Sequence, residues 1–312
     1  MASGELTPSA PAIGPGGSWL RRRTLGESAF SVLNVTVLLL FCFTIVYPFW
    51  RVILTSFAGP QELVHLGFKF WNDNWSTYAY QYSVSSYGNV RVGYLNSILR
   101  VVLGTVLTLA CTLLMAYPLS KRDLPGRTVL TLYVVITLFF GGGLIPLYLV
   151  VRKLGLMDTR WALVLPVMAN GFYIVIMRNF LMTLDLAYEE AALIDGANYL
   201  QVLARIVVPL SAPVIAVVVL WASVQHWNEW FHAMLFTKSR DKHVLQFLLR
   251  RMLQDMTAVR LEMASFEEEV DLLPLPSVRA AITVLTIGPI ILLYPFIQRH
   301  MVKGIFIGSL KG

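Results

Sequence analysis

Apolar residues in this chain gather into long runs instead of alternating with polar ones, and about 20 such residues in a row carry a helix across the hydrocarbon of a bilayer. Six runs stand out: Val32–Trp50, Leu95–Leu119, Val129–Val151, Trp161–Leu181, Ser211–Phe231 and Ala280–Ile297. Backbone groups in hydrocarbon must be satisfied within their own segment, so runs of this length predict helices and not an open sheet. Pro118, Pro146, Pro166, Pro289 and Pro295 lie within them and predict kinks or ends. The expected fold class is all-α: an integral membrane protein with six transmembrane helices.

The connections differ in character. The first twenty residues are rich in Gly, Pro, Ala and Ser and predict a disordered tail, taken to residue 30, ahead of one membrane domain over 31–312. Arg21-Arg22-Arg23 precedes the first run, which is too long for a signal peptide and lacks a small-residue cleavage site behind it, so the first helix is read as uncleaved. Arg51–Tyr94 carries Trp71, Trp75, Tyr78, Tyr80, Tyr82 and Tyr87, the aromatic content of a membrane interface. Ser120–Arg127 is short and basic. Within 232–280, Leu245, Leu248, Leu249 and Met252 step at i, i+3, i+4 and i+7 and predict an amphipathic helix. Lys and Arg counts on the two sides nearly balance. The density of Arg21–Arg23 and of Lys121, Arg122 and Arg127 places both chain ends on the cytoplasmic side.

Composition agrees with the pattern. Of 312 residues, 56% are hydrophobic and 14% charged, more apolar side chain than a water-soluble core of ordinary size can hide. The net charge of +7 fits basic residues that flank helices and meet anionic lipid head groups. No basic stripe is interleaved with aromatics, so nucleic acid is not an expected partner. Cys42 and Cys111 sit inside apolar runs and say nothing of redox compartment. No G-x-x-x-x-G-K-[ST] phosphate cradle occurs, the five histidines show no metal spacing, and no Ser/His/Asp constellation emerges. No catalytic residue, cofactor or metal is therefore expected. Gly141-Gly142-Gly143 reads as a helix end or a close backbone contact.

One stretch does not fit an apolar chain: EEAALIDGANYLQVLARIVVP, residues 189–209. Asp185 can cap a helix whose first turns hold Glu189 and Glu190, where acids meet the positive end of the helix dipole. Ala187, Ala191 and Ile194 then share one face. Gly196 is a natural stop, and Asn198 with Gln201 resembles a capping box that starts a second helix. Leu200, Leu203, Ala204 and Val207 give that helix an apolar face, and Pro209 marks its junction with the fifth run. A helix, a sharp turn and a helix on the cytoplasmic side are predicted. Physically the stretch reads either as a knob that docks into a protein groove or as an amphipathic element resting on head groups.

Glu190-Ala191-Ala192, three residues, Gly196, nine residues, Ile206-Val207-Val208-Pro209 resembles the EAA signature of permease subunits of bacterial ABC importers. Val208 stands where leucine is usual, and Asp185 where many relatives have proline. Asn96-Ser97, Gly104-Thr105, Ala116-Tyr117-Pro118-Leu119-Ser120, Pro125-Gly126-Arg127, Phe139 to Pro146, Leu154 to Thr159, Met177-Arg178-Asn179-Phe180, His226-Trp227-Asn228 and Lys303 to Gly312 are similar to the subfamily that imports oligosaccharides with a lipoprotein-type binding protein. The resemblance implies the type I importer fold in a bacterial plasma membrane, a second homologous permease, a cytoplasmic ATPase dimer and an extracellular sugar-binding protein. It also implies that Glu190 and Asp195 make polar contacts to the ATPase, that Ala191 and Ala192 keep the coupling helix slim, that Gly196 permits the turn, and that Ile206 and Pro209 complete the motif.

Trp221, Gln225, Asn228 and His232 form one stripe of the fifth run, and Asn170 and Tyr173 lie in the fourth. Aromatic faces and amides suit a sugar path. The same residues also fit an interface belt, with Trp227 and Trp230, and bonds between neighbouring helices. Glu229, at a helix end, reads as solvated. The resulting expectation is the membrane subunit of an ATP-driven oligosaccharide importer. The alternatives are an ion-driven secondary carrier, which would want buried charged pairs and inverted repeats, and an assembly subunit without its own path.

Overall fold

The computed structural model describes residues 25–59, 70–86, 90–264 and 276–288. Among these residues the regular structure is helical, and one isolated bridge pairs Ala58 with Trp75. Most of the expected tail, the carboxyl-terminal Lys303–Gly312 and the part of the sixth run beyond Gly288 lie outside them. The chain divides into two units, Met1–Arg51 and Val52–Gly312. The first helix, α1 (Leu25–Ser56), begins inside the segment expected to be tail. Its hydroxyls turn back onto its own backbone, Thr36 donating to Val32 O and Thr44 to Leu40 O, each at 2.9 Å. A helix can carry polar side chains through hydrocarbon in this way.

The second unit runs through α2 (Tyr78–Ser86), α3 (Val90–Ser120), α4 (Arg127–Phe139), α5 (Leu144–Lys153), α6 (Gly171–Leu181), α7 (Ala187–Ile194), α8 (Tyr199–Leu210), α9 (Ala212–Asn228), α10 (Phe231–Phe236), α11 (Leu245–Ala264) and α12 (Pro276–Gly288). Only α1 and α3, among the described residues, are long and apolar enough to span a membrane unbroken. The third and fourth runs are broken, as the glycines and prolines within them predict. Val129–Val151 is two helices, α4 and α5, bent by 113° at the glycine triplet, where Gly143 adopts a φ of +83°. Trp161–Leu181 begins as two 3-10 turns, Arg160–Leu163 and Leu165–Val167, that meet α6 at 50°. The fifth run ends at Asn228, short of the predicted Phe231, and α8 meets α9 at 85°. The glycine triplet is thus a helix end; a Cβ added at Gly141 would meet nothing within 4 Å among the described residues, so no close contact within them requires glycine there.

α3 is the rod on which the second unit is assembled: α9, α6 and α11 all lie against it. In lipid, helices gain little from burying apolar surface against each other and associate through small residues and shared hydrogen bonds. At the crossing with α9, a Cβ on Gly104 would sit 2.5 Å from the His226 ring, so only glycine admits the imidazole. Thr108 Oγ1 lies 3.3 Å from His226 Nε2, and Thr105 shares a 3.2 Å bond with Ser223. Ala116, Tyr117, Ile174, Met177, Val207 and Val218 form the core toward the Ser120 end of α3. A second cluster, with Val90, Trp227, Leu245, Met252 and Val278, packs toward its other end. Trp227 is buried there and donates to Thr286 O at 3.2 Å, so it is not a residue of an interface belt. Leu245, Leu248 and Met252 are buried and Leu249 half-buried, as their spacing predicts.

The connection from α5 is locked to the segment after α10 by Asp158, whose own φ is +56°. Its backbone N–H donates to Phe236 O at 2.7 Å. Its carboxylate accepts from Lys238 N, Ser239 N, the Ser239 hydroxyl and Lys242 Nζ. The Ser239 hydroxyl, with the Ser239 amide, Lys242 and the Lys238 amide, holds its carboxyl well below the usual carboxylate range. A depressed folded-state value means that the latch stabilises fully above the unfolded-state value and is lost as pH falls toward the folded one. Thermal melts of wild type and Asp158→Asn should therefore differ most at neutral pH, with the gap closing only below about pH 4. Identical melts at pH 7 would show that the latch contributes nothing.

Candidate functional site

The 185–209 stretch folds as its residues dictate. Asp185 Oδ1 accepts from Ala187 N at 3.0 Å and so caps the start of α7. At the far end Gly196, with φ +85°, donates to Leu193 O, and Ala197 donates to Ala192 O. These are the two bonds of a Schellman motif, which needs a left-handed residue at the position of Gly196. Asn198 and Gln201 form the predicted capping box with reciprocal bonds of 2.9 Å. α8 then carries a π turn over Leu203–Val207, in which Val208 N donates to Leu203 O, five residues back. The turn immediately precedes Pro209, whose ring clashes with the carbonyl four residues back and has no N–H to offer it.

Along α7 the faces separate. Ala187, Glu190, Ala191, Ile194, Asp195 and Gly196 are exposed, Ile194 at 85%. Ala192 is half-buried against the core, Ile206 is half-buried in the π turn, and Pro209 is exposed. The residue that ties α7 to the bundle is Glu189, buried at 8% exposure. Its Oε2 accepts from Tyr117 Oη at 2.9 Å and pairs with Lys121 Nζ, which also lies over the Tyr117 ring. Nearby, Arg127 Nε and Arg178 Nε both donate to Leu119 O, at 3.1 and 3.0 Å. That carbonyl belongs to the last turn of α3, where helix carbonyls lack an intrahelical partner and attract cations. One peptide oxygen thus gathers the ends of α3, α4 and α6.

Of the proposed path residues, the structure brings three together. Tyr173 Oη donates to Gln225 Oε1 at 2.9 Å, and the Trp221 ring stacks on Tyr173 with centroids 6.3 Å apart. Phe172 adds a ring 5.5 Å from Trp221. Asn170 is the N-cap of α6, accepting from Phe172 N and Tyr173 N. Asn228 is exposed at the last position of α9. His232 leaves the predicted stripe because the helix stops before it, and it faces Glu229 at 3.3 Å instead. Glu229 is half-buried, contrary to the solvated reading, and caps α10 by accepting from Phe231 N and His232 N.

Sequence reasoning missed Glu189 and its partners. The available signal was an acid beside the motif glutamate together with the basic Ser120–Arg127 turn, and only tertiary structure pairs them. Glu189→Ala leaves Tyr117 and Lys121 without their acceptor and should cost about 1–3 kcal/mol of unfolding free energy. Glu189→Ala with Lys121→Ala should cost less than the sum of the two single losses. Strict additivity in equilibrium unfolding would mean that the pair contributes nothing.

Comparison with known proteins matches residues 15–307 to the family described as binding-protein-dependent transport system inner membrane component. The chain is 38% identical over 283 residues to the polygalacturonan/rhamnogalacturonan transport system permease protein YtcP of Bacillus subtilis (strain 168), covering 91% of this chain and 98% of that one. It is 40% identical over 270 residues to protein LplC of the same organism, covering 86% and 90%. Among solved structures, a bacterial ABC transporter involved in the import of the acidic polysaccharide alginate contains a chain that superposes with a TM-score of 0.78 at 29% identity, covering 89% of this chain and 98% of that one. These matches show that the chain belongs to the binding-protein-dependent transport system inner membrane component family, the non-catalytic, membrane-integral permease subunits of ABC importers.

Proposed function

We propose that this permease forms half of an oligosaccharide path, completed by a second, homologous permease, and that a cytoplasmic ATPase dimer moves it through α7. The observation that carries this reading is the two-sided character of α7: one face is bound to the bundle through Glu189, and the other presents Ala187, Ala191 and Ile194 uncovered within the described residues. Small side chains with Glu190 and Asp195 beside them suit insertion into a protein groove. Displacement of α7 would reach α3 through the Glu189 pair. It would reach α9 through the Gly196 turn, the Asn198 box and α8.

The Tyr173, Trp221 and Gln225 cluster supplies a flat ring and hydrogen-bonding groups of the kind a sugar needs, with Asn228 one turn further along α9. Asn170 serves the same site by fixing the start of the helix that bears Tyr173. The names of the relatives support a saccharide cargo delivered by an extracellular binding protein. In this reading the chain lies in a bacterial plasma membrane with α7 and both chain ends cytoplasmic, and its flanking Lys and Arg residues meet anionic lipid.

The test is to purify the tagged chain gently from its native membrane, identify what accompanies it, and measure ATP-dependent oligosaccharide uptake in proteoliposomes. An ATPase, a second permease and uptake are expected. Gly196→Val forces a β-branched residue into the left-handed region at roughly 1–2 kcal/mol and should uncouple hydrolysis from uptake, whereas Gly196→Asn should retain coupling. Trp221→Ala should slow uptake with the ATPase still bound. Full uptake by Gly196→Val would remove α7 as the coupling element, and unchanged uptake kinetics in Trp221→Ala would remove the path. A chain recovered alone and active without ATP would overturn the whole reading.

A further inference from the structure

We infer that the cleft between α3 and the 3-10 turn Arg160–Leu163 is an anion subsite that holds the carboxylate of an acidic sugar residue in the cargo. The inference rests on the importer reading above and specifies its substrate class. The cleft is a cavity of about 170 Å³ lined by Asn96, Leu99, Arg100, Arg160, Trp161 and Val164, among others. It is smaller than the roughly 300–1,000 Å³ of a pocket that engulfs a whole ligand. It therefore fits one carboxylate and the edge of one ring, not a length of chain.

Arg100 is the reason to expect an anion. The residue is 3% exposed, yet only its Nη1 is engaged, donating to Glu229 O at 2.6 Å. Nε and Nη2 are buried and have no acceptor among the described residues. A buried guanidinium is costly unless its donors are met, and its planar fork matches a carboxylate in bidentate fashion. Among the described residues the Glu229 carboxylate acts on Arg100 through its charge, but its hydrogen bonds are spent on Phe231 N, His232 N and the His232 ring. Arg160 adds a second guanidinium at the same cleft. Asn96 Oδ1 fixes its Nε at 3.1 Å, and Asn96 is itself held by donation to Asp241 O and His243 O. Trp161, half exposed, offers a flat face to a ring. Arg100 lies 17 residues before Tyr117 on α3, roughly 25 Å along the axis at 1.5 Å per residue. The subsite is thus at the opposite end of the rod from the Glu189 junction, and Glu229 joins it directly to the end of α9.

The assembled transporter in proteoliposomes is given a short oligogalacturonate and, separately, its methyl ester, which keeps the rings and removes the charge. Wild type should prefer the free acid. Arg100→Gln and the more exposed Arg160→Gln should each lower the ratio of acid to ester uptake roughly ten- to a hundredfold, the range of one lost charge-assisted hydrogen bond. Equal losses for acid and ester, or no loss in Arg160→Gln together with a mere failure of Arg100→Gln to assemble, would make both arginines structural and overturn the inference. A wild type that prefers the ester overturns it as well and leaves the importer reading standing. Uptake of neither saccharide overturns this inference and leaves the importer reading to the oligosaccharide uptake test above.

Discussion

A peptide group freed by a break in an apolar helix finds no water in hydrocarbon, and the way each freed group is met sets the shape of this protein. At the end of α3, Leu119 O receives two arginines, from α4 and from α6. At the start of α6, the Asn170 side chain accepts the first free amides. After α7 the Schellman pair and the capping box close the turn from both sides. The 50° bend into α6 is therefore a satisfied structure, fixed by the two bonds that Asn170 accepts.

In the proposed function these bonds also join the parts that transport must connect. α3 carries the Glu189 junction at one end, the Gly104 and His226 crossing at its middle, and the Arg100 cleft toward the other end. A displacement imposed at α7 meets a rod whose middle is pinned to α9, the helix that bears Trp221 and Gln225. The Asp158 latch and the Asn96 bonds hold the far end of that assembly.

Local signals were legible in the sequence where one residue type answers one local need. Gly196 in a left-handed turn, the Asn198 and Gln201 box, Asp185 at a helix start and the leucine spacing of α11 were all readable, because each acts within about one helical turn. The breaks inside the third and fourth runs were legible as helix ends or kinks at Gly141-Gly142-Gly143, Pro146 and Pro166, but their angles were not, since hydrophobicity does not record direction. Nor were the long-range bonds. Glu189 reads as one more acid at a helix start until Tyr117 and Lys121, far away in the chain, are folded against it. The stripe through Trp221, Gln225 and Asn228 was correct to the end of α9 and failed at His232, because nothing in helical spacing announces that Glu229 will cap a new helix.

The π turn in α8 is an α-helix holding one residue too many, and both flanks are already in register around it. Deleting a single residue between Leu203 and Val207 would relax that turn to α geometry without rotating α7 against α9, whereas a deletion one turn to either side would swing the later faces by about 100°. The bulge is thus the point of α8 where the helix can lose a residue with least change to the faces on either side, although the loss would shorten the spacing from Gly196 to Pro209.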